Sequence, residues 1–241
     1  ADAWEEIADV YPNRTAAICD GKLISWKQFN FRASQVASLL HANGLAAGSK
    51  IAVYSHNSNQ CLEIGLGAFK IGACPVYMNY RYKADELVYL LENSDAEIVF
   101  FQACYAMRVW EIKDRLTKVK VLVQIDDGTE ALLKGAADYE RSIRSLDPMG
   151  RSKRDSEGDY ILYTGGTTGL PKGVVYSVAS FAGRFVDTAA LSLGLEVPNN
   201  IDEYRDFLSK IDRPPVSLPC CPLMHGPGMW YGCFLPLLMG G

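Results

Sequence analysis

The residues best suited to chemistry lie between Tyr160 and Tyr176, in the run Tyr-Ile-Leu-Tyr-Thr-Gly-Gly-Thr-Thr-Gly-Leu-Pro-Lys-Gly-Val-Val-Tyr. Gly165, Gly166, Gly169 and Gly173 are interleaved with the hydroxyls of Thr164, Thr167 and Thr168 and with one cation, Lys172. Glycine lets a backbone take positive φ and come close to a ligand, and successive N–H groups then form an anion-binding nest. Threonine hydroxyls add donors or a metal ligand, and a lysine ammonium adds a compact charge for phosphate. The composition suits a polyphosphate. It is not the P-loop of nucleotide triphosphatases, which needs Gly before the Lys and Ser or Thr after it. Here Pro171, which has no N–H to offer, precedes Lys172, and Gly173 follows. The plainer alternative is a glycine-rich turn between two strands, with Lys172 solvated.

A second constellation is Pro222-Leu223-Met224-His225-Gly226-Pro227-Gly228, followed by Met229-Trp230-Tyr231. An imidazole can donate to a phosphate or carboxylate oxygen while a neighbour fixes its other nitrogen. A lone histidine among apolar residues can equally be a satisfied structural group.

Both constellations need elements to hold them. Tyr160–Tyr163 reads as a buried strand and Val174–Tyr176 as a second, so the glycine-rich run is the loop between them. Upstream, Ala1–Tyr11 reads as a surface helix, followed by a turn at Pro12-Asn13-Arg14. Ala16–Cys19 and Leu23-Ile24 read as a hairpin about Asp20-Gly21. Ser25 and Gln28 form a capping box for a helix bearing Phe29, Ala33, Val36, Ala37 and Leu40 and ending at Gly44. Strands at 51–54, 74–78, 98–101 and 121–125 then alternate with helical patterns at 58–71, 84–91 and 105–116. That alternation predicts an α/β fold of mostly parallel sheet covered by helices on both faces. The charged, serine-rich stretch 140–158 reads as an exposed connection into the loop. Beyond the loop, Val178, Phe181, Ala182, Phe185 and Ala189 make a helical stripe, and Asn200 with Glu203 caps a further helix.

Composition narrows the partners. The chain has 241 residues, nearly half of them hydrophobic, and a net charge of −4, which offers no electrostatic reason to bind nucleic acid. Its seven cysteines are scattered without a CxxC pair, and with three histidines no zinc-ligand spacing forms. The adjacent pair Cys220-Cys221 reads as buried apolar filler, and the whole pattern as that of a reducing, cytoplasmic compartment. Trp4, Glu5 and Glu6 stand where the apolar core of a signal peptide would be, so none is expected. Prolines and glycines interrupt the uncharged stretch 214–241, which reads as buried core or pocket wall and not as a transmembrane segment. A homodimer is left open.

Thr164-Gly165-Gly166-Thr167-Thr168-Gly169-Leu170-Pro171-Lys172-Gly173 resembles the signature phosphate loop of the adenylate-forming (AMP-binding) superfamily, which includes acyl-CoA synthetases, peptide-synthetase adenylation domains and firefly-type luciferases. Leu23–Phe29 and Gly72–Val76 with Asn79 and Arg81 resemble two weaker motifs of the same family in the same order, and Pro222–His225 resembles its second core motif, the end of an apolar strand. The resemblance implies that Thr164 helps hold Mg²⁺, that Gly165, Gly166, Thr167, Thr168 and Gly169 grip the β- and γ-phosphates of ATP, and that Lys172 neutralises charge. It also implies that His225 sits beside the α-phosphate and the acyl carboxylate, and that the residues after it, Gly226, Met229 and Trp230 among them, line an acyl tunnel. This chain departs from the family's pattern at Gly165, usually Ser or Thr, and at Val178, often His. Arg184–Arg213 is also longer than in compact relatives.

The implied reaction joins a carboxylic acid to ATP as acyl-AMP and then to coenzyme A. Gly226–Phe234 contains no Lys, Arg, Asp or Glu. An ammonium-bearing substrate would need a buried acidic partner, so a medium-to-long fatty acid or a sterol-type acid is expected. Gly226, Gly228 and Gly232 would leave room, with Met229, Trp230 and Phe234 as apolar wall. Amino-acid adenylation, luciferase-like chemistry and a non-catalytic phosphate-binding half-domain are the alternatives. Residues 1–241 read as the N-terminal portion of the family's large domain. The adenine and ribose motifs, the C-terminal half and the small mobile domain with its catalytic lysine are absent from the sequence, so this piece alone is expected to turn nothing over.

Overall fold

The computed structural model describes residues 1–152, 158–165 and 170–241. Its elements in chain order are α1 (Asp2–Val10), β1 (Thr15–Cys19), β2 (Lys22–Ser25), α2 (Trp26–Ala42), β3 (Lys50–Tyr54), α3 (Asn59–Lys70), β4 (Cys74–Tyr77), α4 (Ala84–Asn93), β5 (Ala96–Gln102), α5 (Ala106–Ile112), β6 (Val121–Ile125) and β7 (Ala137–Asp138). There follow α6 (Tyr139–Arg144), β8 (Asp159–Thr164), β9 (Lys172–Ser177), α7 (Val178–Ser192), α8 (Ile201–Ser209), a π-helical run Pro227–Phe234 and α9 (Leu235–Leu238). Two compact units result, Ala33–Tyr176 and the pair of segments Ala1–Arg32 and Ser177–Gly241.

The unit Ala33–Tyr176 is built on a seven-stranded sheet of order β7-β6-β5-β3-β4-β8-β9. The pairs β3–β4, β3–β5, β4–β8, β5–β6 and β6–β7 are parallel. A parallel sheet must be buried on both faces, so its strands read as continuous apolar runs. On one face Ala52, Tyr54, Val76, Val99 and Phe101 pack with Leu87, Leu90 and Leu91 of α4 and with Ala106, Val109 and Ile112 of α5. The alternating residues Ile51, Val53, Ile98 and Phe100 point the other way and are equally buried. Glu63, wholly buried on α3, accepts hydrogen bonds from the Tyr139 hydroxyl and from Asn59 Nδ2, each 2.8 Å long. Such charge-assisted bonds are what allow a carboxylate to be buried.

In the other unit the hairpin of β1 and β2 is antiparallel and turns on Asp20 and Gly21, both with positive φ (50° and 73°), as a two-residue turn of the I′ kind requires. The capping box forms as expected: Ser25 N donates to Gln28 Oε1 (3.0 Å) and Gln28 N to Ser25 Oγ (3.2 Å). At α8, Glu203 N donates to Asn200 Oδ1 (2.9 Å), but the Glu203 carboxylate reaches Asn199 N (2.8 Å), one residue before the cap.

Several expectations need correction. The first helix is not a surface helix: Trp4, Glu5, Glu6, Ile7 and Ala8 are buried. The Trp4 ring stands edge-on to Phe234 at 5.5 Å, and Glu6 is covered because Arg205 Nε pairs with it at 2.6 Å. The partner of Glu6 lies 199 positions along the chain, out of reach of any local pattern. The stretch 140–158 begins not as loose chain but inside α6, where Ile143 is buried. It is then tied to α2, with Gln35 Nε2 donating to Leu146 O (3.0 Å), Ser38 Oγ to Asp147 O (2.7 Å) and Met149 N to Ser34 O (3.0 Å). Residues 153–157 lie outside those described. Cys220 and Cys221 are exposed, not core filler. The uncharged stretch 214–241 is core only from Leu223 onward, since Val216 and Leu218 are 95% and 83% exposed. The expected strand ending at His225 does not form: residues 210–225, all described, contain no strand.

Candidate active site

The residues expected to form the phosphate loop belong to the unit Ala33–Tyr176. Tyr160, Ile161 and Leu162 of β8 are buried, and the strand delivers Thr164 and Gly165 into the open, both exposed. The chain returns as β9, whose first residue is the exposed Lys172. Gly166, Thr167, Thr168 and Gly169, the predicted phosphate grip, lie outside the described residues. Thr164 Oγ1 donates to Lys172 O at 3.4 Å, which closes the base of the loop. A hydroxyl that spends its hydrogen this way keeps its lone pairs available, which fits a hard cation such as Mg²⁺. Lys172 makes no ion pair with any described residue, so its charge is available to an anion. A Cβ added at Gly165 would meet no atom of a described residue within 4 Å.

The loop's two arms are held by contacts that no motif predicts. Tyr89 of α4 donates its hydroxyl to Pro171 O at 3.2 Å, and the Tyr163 hydroxyl donates to Asn93 Oδ1 at 2.7 Å. Burial pushes the Tyr163 pKa up to about 12, so its hydroxyl remains a donor at any physiological pH. At Gly173 a Cβ would lie 3.2 Å from both Ile161 Cγ2 and Tyr163 Cζ, so β9 runs flat against the Tyr163 ring. Gly158 enters β8 with φ of 71°, within 3.1–3.2 Å of the Gly72–Ala73 backbone on the Cβ side. Only glycine meets both demands easily.

His225 and its neighbours belong to the other unit. His225 is exposed, its N–H donating to Pro222 O (3.0 Å) and its carbonyl accepting from Met229 N (3.0 Å). The following residues wind as a π-helix, a geometry found mostly as short insertions near functional sites. Gly226 is covered by the Trp230 ring, 3.2 Å from where its Cβ would be. Trp230 also stands edge-on to Phe181 at 5.1 Å. Met229 is wholly buried.

The glycines here do not leave open room as expected. A Cβ on Gly228 would sit 2.5 Å from Pro222 O and 2.6 Å from Cys221 O, and one on Gly232 would sit 2.8 Å from Pro219 Cβ. These glycines let the π-helix lie against residues 219–222. The sequence signalled small residues but not what fills the space above them.

A sequence profile described as AMP-binding enzyme matches residues 4–241. The chain belongs to the AMP-binding enzyme family. Among curated relatives it is 32% identical over 250 residues to a 3-oxocholest-4-en-26-oate–CoA ligase of Rhodococcus rhodochrous, covering 100% of this chain and 43% of that protein. It is 34% identical over 245 residues to the medium-chain acyl-CoA ligase Mig of Mycobacterium avium, covering 93% and 43% respectively. Among solved structures, a putative long-chain-fatty-acid CoA ligase from Rhodopseudomonas palustris superimposes with a TM-score of 0.78 at 25% identity, over 100% of this chain and 55% of that one. The chain spans less than half the length of these curated relatives.

As a member of this family the chain has the expected α/β architecture, with the glycine-rich run between β8 and β9 of the predominantly parallel sheet. No helix among the described residues is long and apolar enough to cross a membrane.

Proposed function

We propose that the protein containing this chain activates a hydrophobic carboxylic acid with Mg-ATP and transfers the acyl group to coenzyme A. The carboxylate oxygen attacks the α-phosphorus, pyrophosphate leaves, and acyl-AMP forms. The thiolate of coenzyme A then attacks the acyl carbonyl, and AMP leaves. The observation that carries this reading is the exposed Lys172 at the start of β9, without an ion pair to any described residue and across the glycine- and threonine-rich loop from Thr164. In this reading Lys172 stabilises charge on the transferring phosphates, where preorganised electrostatics contribute most. Thr164 is a Mg²⁺ ligand, Gly165 to Gly169 supply loop donors to the β- and γ-phosphates, and His225 donates to an oxygen of the acyl phosphate. Seven cysteines scattered along the sequence without a CxxC pair support a reducing, cytoplasmic setting.

For the acid, we favour a medium-to-long fatty acid or a sterol-type acid. The charge-free segment Gly226–Phe234 supports this, as do relatives named for medium-chain acids and for 3-oxocholest-4-en-26-oate. A chain-length series on the intact protein tests it. Each added methylene should strengthen binding by up to ~0.8 kcal/mol until the site is full, so kcat/KM should climb steeply from acetate towards dodecanoate. A higher kcat/KM for acetate or an amino acid would refute the apolar site.

A further inference from the structure

The glycine-rich loop has a support outside the signature motif. Tyr89 and Asn93 are four residues apart on α4, which puts them on one face one turn apart. From that face Tyr89 bonds Pro171 O on the returning arm and Asn93 bonds the Tyr163 hydroxyl on the outgoing arm, at 3.2 and 2.7 Å. Pro171 has no N–H, so its carbonyl is the only backbone group by which it can be held. The Tyr163 ring is the surface on which Gly173 lies, and Gly173 is the next residue after Lys172. The helix is itself fixed, because Leu87, Leu90 and Leu91 are buried in the core of the same sheet. Rigid elements with locked side chains place a functional group more accurately than a free loop does.

We infer that Tyr89 and Asn93 are positioning residues of the phosphate loop, holding the strands on either side of it and so fixing where Lys172 stands before ATP binds. The inference rests on the reading of Lys172 proposed above. Neither residue touches substrate. They act through Pro171 and through the Tyr163 ring.

The experiment uses the intact protein with Asn93→Leu, Asn93→Asp and Tyr89→Phe. Two quantities are read: Mg-ATP binding by calorimetry together with both KM values, and amide exchange at Lys172–Val175 without nucleotide. Losing one hydrogen bond at the base of the loop should raise the Kd for Mg-ATP about five- to tenfold in Asn93→Leu, with KM for the acid nearly unchanged. Exchange at Lys172–Val175 should quicken severalfold. Asn93→Asp keeps an acceptor for the Tyr163 hydroxyl and should stay close to wild type, and Tyr89→Phe should fall between. A general loss of stability would instead move both KM values. Unchanged exchange and Kd in Asn93→Leu, or equal damage in Asn93→Asp, overturns the inference. Wild-type protein that fails to bind Mg-ATP strikes the proposed function instead, and the exchange measurement still decides whether α4 holds β9.

Discussion

Replacing Lys172 by alanine should lower carboxylate-dependent ATP–pyrophosphate exchange by roughly 100-fold or more, the scale seen when one preorganised donor is taken from developing charge. The side chain is exposed at the first residue of β9 and has no ion pair with a described residue, so its removal should leave the fold intact. Most of the loss should appear in kcat, because the charge it would neutralise grows as pyrophosphate departs. Arginine should restore little, since its planar fork does not replace a compact ammonium beside Pro171 and Gly173. The variant's kcat/KM, measured against an unchanged melting temperature, checks this. A drop of less than about threefold would remove Lys172 from the chemistry.

The second large effect concerns stability. Gly228→Val should destabilise the protein by about 3 kcal/mol or more, at the upper end for overpacking, because the new Cβ would meet the Pro222 and Cys221 carbonyl oxygens at 2.5 and 2.6 Å. Backbone atoms cannot turn aside as the tip of a side chain can. For a chain of this size that corresponds to a fall in melting temperature of roughly 6–12 °C. Gly183, inside α7, is the control. Its Cβ would meet nothing within 4 Å, so Gly183→Ala should be neutral or slightly stabilising. If Gly228→Val instead folds normally and only shortens the preferred acyl chain, the glycine lines open space and the packing described here is wrong.

What the sequence could and could not convey follows from the range of each interaction. Local signals were legible: Asp20-Gly21 as a turn, Ser25 with Gln28 as a cap, and the apolar runs of β3, β4, β5 and β6 as a parallel sheet. These depend on residues a few positions apart. The burial of Glu6 was not legible, because its counterion Arg205 is supplied by a helix near the other end of the chain. The hold of Asn93 on Tyr163 was hidden for the same reason, the two being 70 positions apart. The π-helix after His225 was missed because no local pattern distinguishes it from an apolar pocket wall. Gly228 and Gly232 were read as empty space when residues 219–222 occupy it. A glycine in sequence says that something small is needed, not whether a ligand or the chain's own backbone fills the gap.

The most direct test of carboxylate activation is ATP–pyrophosphate exchange by the intact protein with Mg²⁺, with and without dodecanoate, in the absence of coenzyme A. Reversible formation of acyl-AMP predicts label moving from pyrophosphate into ATP only when the acid is present, with the signal lost in Lys172→Ala. Exchange that ignores the acid, or none at all from protein that binds Mg-ATP, would contradict it.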